Sequence, residues 1–149
     1  MRIKMSDTIE FCCELTSTDT SVPLAIDVQL NGVSLFQTDH VKDICEIKFT
    51  IDDAEAAQKV QFIMSGKTAE HTKIDEHSNI IADAMIKINN VTIDGINIDQ
   101  LFIDKTQYNH DFNSTQPAIV DRFYGFMGCN GVLTFEFSTP IYLWLLENM

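Results

Sequence analysis

The 149-residue chain has little of what most functional classes require. It has four cysteines but no Cys-x-x-Cys pair, which argues against a structural zinc site. No apolar run approaches the ~18 residues that a membrane-spanning helix needs. Ten basic residues face 22 acidic ones, a formal net charge of -12, and such a surface repels phosphate backbones. Nucleic acid is therefore a poor partner, and insertion into a membrane is not expected. There is no Gly-x-Ser-x-Gly, His-Glu-x-x-His, P-loop or Gly-x-Gly-x-x-Gly, so no catalytic motif announces an enzyme. Arg2 and Lys4 are followed by Met5-Ser6-Asp7-Thr8 where a secretory signal would be apolar, which predicts folding in a cytoplasm.

What the chain does have is alternation. Leu24, Ile26, Val28 and Leu30 share one parity, and Ala25, Asp27 and Gln29 the other. That period of two marks a strand with one dry and one wet face. It recurs at Cys45-Ile47-Phe49-Ile51, Val60-Phe62-Met64, Ala84-Ile86-Ile88 and Leu133-Phe135-Phe137. Asn31-Gly32 is a type I′ hairpin signal between such runs, and Asp94-Gly95 is a second turn signal. The pattern predicts one all-β domain over 1–149, an antiparallel β-sandwich of jelly-roll-like form.

Two departures from strand are expected. Asp52-Asp53 followed by Ala54-Glu55-Ala56-Ala57 predicts a helical turn near 52–58, an N-cap followed by acids and alanines. The tail from Pro140 to Met149 is apolar on every side, and reads as a short helix after Thr139-Pro140 or as a buried strand. It either fills the core or docks on a neighbouring subunit. The cysteines read as free thiols, with a Cys13–Cys45 bridge as the alternative.

Two long polar stretches carry the candidate chemistry. Residues 67–79 hold Glu70, His71, Asp75, Glu76 and His77. His71, Asp75 and His77 suit a divalent transition metal by ligand type, or line a small hydrolase or isomerase pocket. Asp75, Glu76, Asn79 and Asp83 offer hard oxygens of the kind calcium takes, without the EF-hand spacing. Residues 104–131 hold Tyr108, His110, Phe112, Phe123, Tyr124 and Phe126 among Asn, Asp and Gly. Exposed rings beside polar groups suit a sugar; the alternative is rings that pin the loop to the sandwich or bury at an interface.

Two segments carry a resemblance. GKTAEHTKIDEHSNIIADAMIKINNVTIDGINID, residues 66–99, and DRFYGFMGCNGVLTFEFSTPIYLWLLENM, residues 121–149, resemble small accessory proteins of tailed phages of marine bacteria. The strand ending Asn-Asn-Val-Thr-Ile-Asp-Gly is also similar to the core strand of calcium-dependent carbohydrate-binding modules. The first resemblance implies a non-enzymatic virion protein, a capsid decoration or a tail- or fibre-associated sandwich. Such a protein is made in the host cytoplasm and carried on the virion. It binds phage structural proteins or itself as a homo-oligomer, and in addition a host surface glycan. The second implies a free-standing sugar-binding module with calcium held by loop aspartates, to which Asp75 and Asp83 would correspond. The ligand contacts expected are Tyr108, His110, Tyr124 and Phe126.

Overall fold

A computed structural model describes residues 8–68, 72–77, 80–110 and 119–149. The alternating segments form strands as expected. They are β1 (Thr8–Ser17), β2 (Ala25–Leu30), β3 (Val33–Thr38), β4 (Cys45–Asp52), β5 (Ala56–Ser65), β6 (Thr72–Ile74) and β7 (Ile80–Asp83). Then follow β8 (Ile86–Ile93), β9 (Ile96–Asn97), the helix α1 (Asp99–Lys105), β10 (Thr106–His110) and β11 (Ile119–Arg122). The chain ends with β12 (Phe126–Met127), β13 (Gly131–Thr139) and the helix α2 (Ile141–Asn148). One sheet runs β12-β8-β1-β4 with β9 hairpinned onto β8, and the other runs β11-β10-β13-β5-β2-β3. Strands β6 and β7 make a small separate hairpin. Every pairing among the described strands is antiparallel, and the two large sheets share one apolar core, so the protein is an all-β sandwich.

Register follows from the pattern of burial. Ile9, Phe11, Cys13 and Leu15 of β1 are all buried, opposite Ile51, Phe49, Ile47 and Cys45 of β4. On the other sheet Val60, Phe62 and Met64 meet Phe135, Leu133 and Gly131. A slip of one residue would turn each of these rows to water, which is why the register is specified so strongly. Both turns form, the first as the expected type I′, with positive φ at Asn31 and Gly32 and likewise at Asp94 and Gly95. Asn89-Asn90 is a bulge within β8, where the pairing with β1 shifts between Cys12 and Glu14 and Asn90 takes φ 51.

Gly66 has no room for a side chain. Its φ is +91, and a Cβ there would lie 2.7 Å from the Pro23 carbonyl oxygen. We expect Gly66→Ala to destabilise the fold by at least about 1–2 kcal/mol, since a left-handed conformation and a backbone clash act together. Gly32→Ala meets nothing within 4 Å and should lose less; equal denaturation midpoints would refute this.

One expectation needs correction, and two stretches carry elements that the alternation does not announce. The segment near 52–58 is a bend rather than a helical turn, and β5 begins at Ala56. The reason lies in its carboxylates, which compete with helical hydrogen bonding. Asp52 Oδ1 accepts from Ala54 N at 3.1 Å, and Asp53 Oδ1 accepts from Ile141 N at 2.8 Å, satisfying a free N–H at the start of α2. The residues around Phe102, which continue the strand pattern in the sequence, fold as α1. The polar stretch 104–131 contains β10, β11 and β12. The tail is the helix of the two alternatives. Ile141, Trp144 and Leu145 are buried, with Trp144 edge-on to Phe135 and Phe137, while Tyr142, Leu143, Leu146 and Met149 are exposed. Among the described residues no helix is long and apolar enough to cross a membrane.

All four cysteines are free. Cys13 pairs with Ile47 and Cys45 with Leu15, so Cys13 and Cys45 are diagonal neighbours on adjacent strands of one sheet rather than facing residues. Diagonal neighbours sit ~7–8 Å apart, beyond the reach of a disulfide.

Candidate functional site

The segment from Arg122 to Met127 joins the outer strand of one sheet, β11, to the outer strand of the other, β12, and so runs across one open side of the sandwich. Alternation decides where its rings go. Phe123 and Met127 are fully buried, while Tyr124 is 67% exposed and Phe126 40% exposed. Gly125, at φ 101, turns the chain between them, and its carbonyl accepts from Ile88 N at 3.0 Å. The two outward rings are thus carried on a strip anchored in the core on both sides and hydrogen-bonded to β8.

The turn that follows is tied down with equal care. The Tyr108 phenol donates to the Cys129 carbonyl and accepts from Cys129 N at 3.0 Å. Asn130 brackets the backbone of Lys67, accepting from its N and donating to its O, both at 2.9 Å. Lys67, whose side chain is 9% exposed, sends its Nζ to Asp83 Oδ1 at 2.5 Å and to the Gly128 carbonyl. Burial pushes the Cys129 thiol pKa up, opposed by the neighbouring Lys67 ammonium. The rim therefore rests on a hydrogen-bonded base, which is the condition for presenting side chains in a fixed geometry.

The expected ligand contacts divide into two pairs. Tyr124 and Phe126 are on the rim. Tyr108 and His110 are together, their rings stacked at 4.1 Å, but Tyr108 is 2% exposed and faces the core, opposite Leu133. Burial raises the Tyr108 pKa, and its hydroxyl is engaged in holding the turn. Tyr108 is a structural residue here, not a surface contact. The sequence shows rings in this stretch but not the strand β10 that draws one of them inside.

The two aspartates expected to share calcium are kept apart. Asp83 ends β7 and pairs with Thr72, while Asp75 follows the other end of β6, so the length of the hairpin separates them. A three-residue strand spans ~10 Å, too far for one ion with bonds near 2.4 Å. Asp83 is held by Lys67, and Asp75 Oδ1 accepts from His77 N at 2.8 Å. Together these two residues do not fit a calcium site, and no group of three or more His, Cys, Asp or Glu suited to a metal exists among the described residues. His77 is exposed beside Glu76. His71, Asn79 and Phe112 lie outside the described residues. We expect Asp83→Asn to lower the unfolding free energy by about 1–3 kcal/mol, because it removes the carboxylate paired with the nearly buried Lys67 ammonium. That loss should be the same in calcium and in chelator; a loss seen only with calcium present would restore Asp83 as a ligand.

Two residues that the sequence did not single out belong to the rim. Lys87 faces Phe126 across the β8–β12 pairing with Nζ 5.9 Å from the ring centre, and Arg122 lies 5.5 Å from the centre of the Tyr124 ring. Arg122 is visible in the sequence two positions before Tyr124, at strand parity. Lys87 comes from a different strand and leaves no local signal.

No protein-family model matches the chain, and no curated protein matches it. Among solved structures, the chain is similar to the selenomethionine form of vCBM60, described with two families of calcium-dependent carbohydrate-binding modules related by circular permutation. The TM-score is 0.49 at 9% identity, over 85% of this chain and 89% of that one. It is also similar to vCBM60 in complex with galactobiose, with a TM-score of 0.47 at 8% identity, over 85% and 96% of the two chains. At this level the likeness assigns a role to no residue of this chain.

Proposed function

We propose that this protein is a non-catalytic carbohydrate-binding β-sandwich whose ligand lies along the rim formed by Tyr124 and Phe126. The observation that carries the proposal is the exposure of two aromatic rings on a strip whose alternate residues, Phe123 and Met127, are fixed in the core. Isolated exposed rings are unremarkable on a protein surface. Two of them, held on a crossover between sheets and flanked by polar and charged groups, make the stacking platform that a sugar ring requires. Rigidity matters because affinity from stacking is lost if the rings must first be ordered. An array of immobilised oligosaccharides, probed in calcium and again in chelator, tests the proposal. Retention of the wild-type protein on a defined glycan is expected, and absence of retention across the array would refute it.

A second reading, the virion accessory, is favoured by one feature. Tyr142, Leu143, Leu146 and Met149 form an exposed apolar stripe on α2, with Leu146 and Met149 each 80% exposed. Such a stripe suits attachment to a neighbouring structural protein or a second copy. In that case light scattering gives a mass above that of the 16.9 kDa monomer, and Leu146→Glu returns it to the monomer value.

A further inference from the structure

We propose, on the reading of the rim as a glycan site, that its ligand is an anionic polysaccharide, one whose sugars carry carboxylate or sulfate groups. The chain carries 22 acids and only ten bases, so a cation is the scarcer charged group on its surface. Yet each of the two exposed rings of the rim has a cation beside it: Arg122 at Tyr124 and Lys87 at Phe126. These are the two cation–ring contacts found among the described residues. They arise from unrelated causes, one from parity along a single segment and the other from cross-strand register.

A cation over an exposed ring is worth only about 0.5–1 kcal/mol, too little to explain the arrangement as a stabilising device. What the pairs do provide is a repeated unit, an exposed apolar ring with a positive charge within 6 Å of its centre. That unit matches an acidic sugar, whose pyranose face stacks and whose anionic substituent reaches the cation. Arg122 presents a planar fork suited to two oxygens of one carboxylate or sulfate, and Lys87 a point charge.

The two cations differ in their acidic neighbours. Arg122 Nη2 lies 3.9 Å from Asp104 Oδ1, with the two side chains 66% and 49% exposed. An ion pair that open is worth about 0–1 kcal/mol. Lys87 is exposed and forms no ion pair with any described residue. The net charge of -12 opposes a polyanion at long range. At 0.15 M ionic strength the screening length is about 8 Å, so remote acids are largely silenced while contacts at the rim are not.

The test is affinity electrophoresis at 0.15 M salt through four gels. They contain polygalacturonate, a sulfated galactan, a neutral galactan and single-stranded DNA. The expected result is retardation by one acidic polysaccharide at least tenfold stronger than by the neutral galactan or the DNA. The gel that retards identifies carboxylate or sulfate as the group recognised. Lys87→Gln combined with Arg122→Gln should lose that tenfold preference while its thermal midpoint stays within a degree or two of wild type. Equal retardation by the neutral galactan, insensitive to the double substitution, overturns the inference and leaves the rim as a neutral-sugar site. Equal retardation by DNA overturns it by showing a generic polyanion patch. No retardation by any polysaccharide overturns the glycan reading as well.

Discussion

Phe102→Ala lowers the unfolding free energy by about 3–5 kcal/mol, the range for removing a buried aromatic ring from a packed core. Phe102 is 1% exposed and stands at the centre of a ring cluster. It meets Phe62 edge-on at 5.9 Å, Phe123 edge-on at 5.8 Å and Phe135 at 5.0 Å. The first and last of these are on β5 and β13, and Phe123 is on the crossover beneath the rim. Phe102 is carried by α1, a seven-residue helix with no side-chain cap at its start. So short a helix is unstable alone and depends on tertiary anchoring. The ring therefore holds α1 in place as well as filling space. Urea denaturation followed by the fluorescence of Trp144, which packs on Phe135, measures the loss. Phe102→Leu, which keeps most of the volume, should cost under about 1.5 kcal/mol. Similar losses for the two variants would mean that the cluster is not packed as described.

Tyr124→Ala together with Phe126→Ala abolishes glycan retention without unfolding the protein. Aromatic residues at the centre of a binding surface typically cost about 2 kcal/mol or more when truncated, roughly thirty-fold in affinity. Two such losses take a micromolar ligand out of the measurable range. The fold should hardly notice, because exposed substitutions of this kind stay within about 0.5 kcal/mol. Tyr124→Phe separates the ring from its hydroxyl: stacking predicts that most of the affinity remains. Phe123→Ala makes an instructive contrast. It removes a fully buried ring and should lower stability and binding together, because the rim loses its anchor.

Strand, hairpin and core were legible because period-two alternation and Asn-Gly or Asp-Gly turns act locally. Ile9, Phe11, Cys13 and Leu15 share a parity in the sequence and one buried face in the fold. What escaped were features set by distant partners. The acids at Asp52 and Asp53 look like a helix start, yet Asp53 spends its carboxylate on Ile141, 88 residues away. Tyr108 sits in a polar stretch, and only its pairing with Leu133 on β13 shows that it faces the core. Asp83 reads as a hard-oxygen ligand until Lys67 is found beside it. The rim was half legible: Tyr124 and Phe126 stand out as rings near polar residues, whereas Lys87 joins them only through the β8–β12 register.

The rim as the binding surface is tested most directly by chemical-shift mapping of the labelled protein during titration with a glycan retained on the array. Glycan binding at the rim requires the largest shifts at Arg122, Tyr124, Gly125 and Phe126 and at Lys87 across the pairing, with α2 unmoved. Shifts centred on Tyr142, Leu143 and Leu146, or on the β6–β7 hairpin, with the rim silent, would contradict it.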